Sequence, residues 1–117
     1  MKKPKDPKIF LGHIMESIDR IEKNTDSLSW PEFADSENIQ DIAARRLEII
    51  GEAVTNIPDF FRKQYPKIPW KKIAGFRNVL IHEYFDIDIN LVWKIIKKDL
   101  PKLKKQIAAI LKSISSK

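Results

Sequence analysis

The sequence predicts an all-α fold, an up-and-down bundle of four or five helices, and three observations point to it. Apolar residues recur at three- and four-residue steps along most of the chain, the spacing of one buried helix face. Glycine is scarce, at three of 117 residues, whereas a turn-rich all-β chain draws on it often. Breakers are gathered into a few loops, chiefly Trp30-Pro31, Pro58 and the run from Tyr65 to Pro69. A chain of this length builds one core, so a single domain over residues 1–117 is expected, with 1–7 and 114–117 fraying.

The first helix is expected from Lys8 to about Asn24, because Leu11, Ile14, Ile18 and Ile21 fall on one face. Ser29-Trp30-Pro31 reads as a breaker. Asp35 or Ser36 can cap a long second helix, in which Ile39, Ala43, Leu47, Ile50 and Val54 carry the period on to Pro58. After a short aromatic segment at Phe60-Phe61, a third main helix is expected from Trp70, taking in Ile73, Phe76, Leu80 and Ile81. From Phe85 to Leu91 apolar and polar residues alternate, which is a strand pattern. With no partner strand in view, the segment reads as a connector, and Asp88 as the N-cap of a last helix running from Leu91 to Leu111. Pro101 should kink that helix or divide it.

Composition excludes several kinds of chemistry. Without cysteine there is no disulfide, no thiolate zinc site and no cysteine nucleophile, and only His13 and His82 remain as imidazoles. Gly12, Gly51 and Gly75 stand alone, so there is no phosphate-binding glycine loop. No apolar run approaches the ~20 residues of a membrane span, and no secretory leader pattern is visible; a cytoplasmic protein is expected. The formal charge of +6 sits at the ends: residues 1–8 carry +3, residues 91–117 carry +7, and the stretch between carries −4. Such lysines can neutralise phosphates, meet an acidic partner, or cover a solvated helix face.

The informative segment runs from Gly75 to Tyr84 and holds Arg77, Asn78, His82 and Tyr84 within eight positions. On a helix turning about 100° per residue, Arg77 and Tyr84 would differ by about 20°, and Asn78 and His82 by about 40°. Arg77 and His82 would lie about 140° apart, a spacing that favours a site shared between two chains. Arg77 could hold a phosphate while His82 moves a proton near neutral pH. That suffices for RNA cleavage without a metal, because the substrate's own 2′-hydroxyl is the nucleophile. Alternatively, Arg77 pairs with Glu48 or Glu52, and His82 is a hydrogen-bonded residue of a packed helix.

Arg77-Asn78, followed by His82 and Tyr84, resembles the R-N-x-x-x-H-x-Y signature of the HepT-like group in the HEPN superfamily. The surroundings are similar too: Leu47 to Ala53 upstream, Pro69-Trp70 and Ala74-Gly75-Phe76 just before, Val92-Trp93 after. The resemblance spans about residues 8 to 112. It implies a HEPN-like homodimeric bundle with two copies of the motif around a shared cleft, and a ribonuclease toxin of a toxin–antitoxin pair that uses no cofactor. It further implies Arg77 and His82 as the catalytic pair and Asn78 as a polar helper. The implied partner is a small nucleotidyltransferase antitoxin that adenylylates Tyr84. A second reading is a non-catalytic helical dimer that binds such a nucleotidyltransferase.

Other candidates are weaker. Glu83, Asp86 and Asp88 suggest a carboxylate metal site, but Asp88 is better used as a cap, and no metal site is expected. His13 has no histidine at ligand spacing and is expected to pack or face solvent. Gly51, inside the second helix, costs about 1 kcal/mol relative to Ala and marks a close approach beneath the cleft. Glu48 and Glu52 could orient Arg77, Arg45 or Arg46, or be solvated, while Trp30, Trp70 and Trp93 are expected as core or interface anchors.

Overall fold

The structure is a computed structural model that describes residues 6–81 and 86–115. Helix α1, Pro7–Thr25, starts at Asp6, whose carboxylate accepts the Lys8 N–H at 2.9 Å. Pro7 stands in the first turn, where its missing N–H leaves no bond unmade. The expected periodic face is the buried one: Leu11, Ile14, Ile18 and Ile21 are fully enclosed.

Ser29-Trp30-Pro31 does not simply break the chain; it starts a short helix, α2, Trp30–Ala34. The reason is a capping box. The Ser29 N–H donates to the Glu32 carboxylate at 2.9 Å, and the Glu32 N–H donates back to the Ser29 hydroxyl. This holds the Glu32 pKa below its usual 4.5, first through the Ser29 backbone N–H and then through the Ser29 hydroxyl. A lowered carboxylate pKa stabilises the fold above the unfolded value and ceases to do so as pH falls through the folded one. The Ser29→Ala protein loses both hydroxyl bonds and should be less stable than wild type near neutral pH; in thermal melts the gap should narrow, without closing, as pH falls below the carboxylate's usual 4.5, because the cap to the Glu32 N–H is missing at every pH.

Ser36 rather than Asp35 caps the long helix α3, Glu37–Asn56, accepting the Ile39 N–H at 3.3 Å. Helix α3 is the spine of the fold: α1 and the segments that carry the site pack on it, and Ala43, Leu47, Ile50 and Val54 face the core. Beyond it lie helix α4, Asp59–Arg62, and helix α5, Trp70–Ala74. Trp70 is buried, and its indole N–H donates to the Arg62 and Tyr65 carbonyls, closing the proline-rich loop.

The third main helix is shorter than its apolar spacing predicts. The α-helix ends at Ala74, a 3₁₀ turn covers Gly75–Asn78, and the chain then extends into strand β1, Leu80–Ile81. Strand β2, Asp86–Ile87, pairs with it antiparallel, Leu80 opposite Ile87 and Ile81 opposite Asp86. The Asp88 N–H extends the ladder by donating to the Val79 carbonyl at 2.8 Å. The alternation after Phe85 is thus a strand signal in its own right, and the connector reading is corrected: the missing partner is the run Val79-Leu80-Ile81, which helical spacing had claimed. The fold remains all-α, with this one short pairing among the described residues.

Asp88 has the expected second role, capping helix α6, Ile89–Lys94, by accepting the Leu91 N–H at 3.2 Å. Asp88→Ala should lower stability by about 1 kcal/mol, read from the midpoint of urea unfolding. The last helical run is unbroken from 89 to 115, and Pro101 is accommodated by a wider turn placed just ahead of it. Residues Ile95–Asp99 form a π turn, with the Leu100 N–H bonded to the Ile95 carbonyl, and helix α7 runs over Leu100–Ser115. In a regular helix the proline ring would press on the Lys97 carbonyl, and the wider turn accommodates it. Helix α7 returns to α1, with Leu100, Leu103, Ile107 and Ile110 buried and Lys104 bridging Glu22 at 2.6 Å and Asp19 at 3.6 Å.

Candidate functional site

The turn that carries Arg77 and Asn78 is set down on α3 at a point where only glycine fits. A Cβ at Gly51 would lie 2.8 Å from the Ala74 carbonyl oxygen, 3.0 Å from the Arg77 backbone nitrogen and 3.2 Å from the Arg77 Cβ. Two of these three atoms are backbone and have little room to yield. The expected close approach is therefore real, and it fixes the position of Arg77 through the main chain. Phe76 and Val79, buried on either side of the arginine and asparagine, anchor the same turn in the core.

Arg77 and Asn78 face outward into a groove of about 510 Å³. Helix α3 contributes Arg45, Glu48 and Glu52 to its wall, and α1 contributes His13. Arg77 reaches Glu52 at 3.5 Å, with about half of the arginine side chain and two thirds of the glutamate exposed. An exposed pair at that distance adds about 0–1 kcal/mol at most, so it orients the guanidinium without making it unavailable to a phosphate. The expected partnership of Arg77 with α3 thus coexists with an accessible groove. Glu48 lines the groove and makes no ion pair among the described residues.

The helix on which the wheel angles of Arg77 and Asn78 rest ends at Ala74, with a 3₁₀ turn over Gly75–Asn78 and a strand at Leu80–Ile81. His82, Glu83 and Tyr84 lie outside the described residues. Among the described residues no group of three or more His, Asp or Glu side chains could hold a metal ion, and Asp88 is engaged at its helix cap. His13 is exposed, edge-on to Phe10 with ring centroids 6.1 Å apart. Sequence alone leaves packing and solvent exposure open for His13 and does not give the groove, which exists only because α1 and α3 lie side by side. Trp30 and Trp93 pack with Phe33 in an aromatic cluster, and Lys97 sits 4.5 Å over the Trp93 ring.

The family model for "Ribonuclease HepT-like" matches residues 14–110, a span that includes α3, the Arg77 turn and most of α7. The chain belongs to the HepT-like ribonuclease family. Similar curated proteins include "Probable ribonuclease HepT" of Thermococcus cleftensis, 42% identical over 83% of this chain and 88% of its own length. "Putative RNase MJ1380" of Methanocaldococcus jannaschii is 43% identical over 91% of this chain and 97% of its own. A third, "Gamma-glutamylcyclotransferase and putative RNase MJ0434" of the same organism, is 47% identical over 94% of this chain, which spans only half of that longer protein. No solved structure gave a significant match. The HepT-like chain has no helix, among the described residues, long and apolar enough to cross a membrane.

Proposed function

We propose that this HepT-like chain is a metal-independent endoribonuclease toxin in which Arg77 and His82 carry the reaction. The observation that supports this is the presentation of Arg77 and Asn78 on one wall of an open groove, fixed through the main chain by Gly51. Arg77 binds the non-bridging oxygens of the scissile phosphate and offsets the charge that builds up on them. Asn78 adds a neutral donor on the same wall. The ribose 2′-oxygen attacks the adjacent phosphorus and the bond to the 5′-oxygen breaks, leaving a 2′,3′-cyclic phosphate and a 5′-hydroxyl. His82 transfers a proton in this exchange, as general base toward the 2′-hydroxyl or general acid toward the leaving oxygen. No water and no metal is consumed or required by that balance.

The active form is a homodimer with two copies of the motif at a shared cleft, working in the cytoplasm. Control is through Tyr84. A nucleotidyltransferase antitoxin joins the phenolic oxygen to the α-phosphorus of ATP and releases pyrophosphate; the adenylyl phosphate then competes with RNA for Arg77.

The test is cleavage of an RNA oligonucleotide in excess chelator beside the same oligonucleotide with a 2′-deoxy residue at the cut. The ribo substrate is cut to a cyclic phosphate and the deoxy one stays whole. An intact ribo substrate, with Tyr84 shown unmodified by mass spectrometry, would favour the non-catalytic dimer that binds a nucleotidyltransferase. Tyr84→Phe should cleave RNA but keep doing so after incubation with the antitoxin and ATP, whereas wild type falls silent.

A further inference from the structure

The groove at Arg77 does not end at Arg45. A second hollow, of about 600 Å³, continues along the junction of α1 and α3, and Arg45 lines both. Its walls carry Arg20 and Lys23 from α1 and Arg46 from α3, with Asp41 as the carboxylate among them. On α1, His13, Arg20 and Lys23 recur at helical spacing, and on α3, Asp41, Arg45 and Glu52 do the same. One face of each helix therefore contributes to both hollows, which meet at Arg45.

Two features distinguish this stripe from an ordinary solvated face. Arg20 is paired with Glu16 at 3.3 Å, but Arg45, Arg46 and Lys23 make no ion pair or side-chain hydrogen bond among the described residues. Three cations that the nearby Asp41 does not pair, gathered along one groove, favour an anion from outside. The second feature is length. From His13 to Lys23 the helix rises about 15 Å, which at 3.4 Å per nucleotide of a stacked strand is room for about four nucleotides.

We infer that the α1–α3 channel is the track for the RNA strand leading away from the scissile phosphate, with Arg45, Arg46 and Lys23 binding successive backbone phosphates. This rests on the proposed ribonuclease reading and adds where the substrate lies. Phosphate contacts of this kind set affinity and register and carry no base sequence. The track therefore makes binding depend on the length of the RNA more than on its sequence.

The experiment is fluorescence anisotropy with non-cleavable 2′-O-methyl oligonucleotides of two and eight nucleotides, over a range of salt, on wild type and on Arg46→Ala/Lys23→Ala. Wild type should bind the octamer far more tightly than the dimer. The double variant should lose most of that gain, and its salt dependence on the octamer should flatten by about 0.7 in log–log slope for each contact removed. An unchanged gain with length and an unchanged slope in the double variant overturn the track even while wild type binds and cleaves RNA. If instead wild type binds neither oligonucleotide and cleaves no RNA, the ribonuclease reading fails and the track with it. A double variant that changes its sedimentation behaviour and keeps the length-dependent binding marks the stripe as an interface between copies, which also overturns the proposal.

Discussion

Replacing Arg77 with Ala is expected to slow RNA cleavage by about 10²–10³-fold, the scale on which single charge-stabilising donors at developing oxyanions act. The fold should be nearly unaffected. The side chain is half exposed and its ion pair to Glu52, at 3.5 Å, is worth little, so the thermal midpoint should move by no more than a few degrees. Arg77→Lys keeps the charge but loses the planar pair of donors that grips two phosphate oxygens, and should recover only a small part of the rate. Cleavage rates and melting curves on the same preparations separate the two effects. Glu52→Gln supplies a contrast: it releases Arg77 from its partner without removing the guanidinium, so the rate should stay much closer to wild type than in Arg77→Ala.

The second large effect is expected at Gly51, which touches no substrate. Alanine there gains about 1 kcal/mol of helix propensity, yet its Cβ would stand 2.8 Å from the Ala74 oxygen and 3.0 Å from the Arg77 nitrogen. Relief requires the whole turn to move, and overpacking of this kind costs about 1–3 kcal/mol, so the loss outweighs the gain. Gly51→Ala should melt below wild type and should also lose cleavage, because the displaced segment is the one that bears Arg77 and Asn78. A displacement of 1 Å from a remote change can cost about 10²-fold in rate. Gly12→Ala is the control. It sits in α1 with nothing within 4 Å of the new Cβ, so the same substitution should raise stability by up to about 1 kcal/mol and leave cleavage as it was.

The long helices are legible in the sequence because their evidence is local. Leu11, Ile14, Ile18 and Ile21 repeat at helical spacing, and Ser36 and Asp88 stand where a cap is needed. Gly51 is legible for the same reason: a glycine inside a strong helical pattern needs a neighbour to explain it. The segment from Gly75 to Ile87 is not, because its conformation is decided between two stretches. Val79-Leu80-Ile81 suits a helix or a strand equally well, and only pairing with Asp86-Ile87 selects the strand. At α2 the signal was present, as Ser29 three residues before Glu32, but Pro31 obscures it unless one remembers that proline is welcome in a first helical turn. The site divides in the same way. Arg77 and Asn78 stand out by residue type and spacing, whereas Arg45 and His13 join them only through the packing of α1 against α3.

The central claim is that the motif's histidine performs the chemistry, and one comparison tests it most directly. Purified wild type and His82→Ala, each with matching helical circular dichroism, are incubated with total RNA in excess chelator. The account predicts that wild type degrades the RNA and that the variant leaves it intact, a loss of about 10²-fold or more for a proton-transfer group. Equal degradation by the two proteins would contradict it and remove His82 from the mechanism.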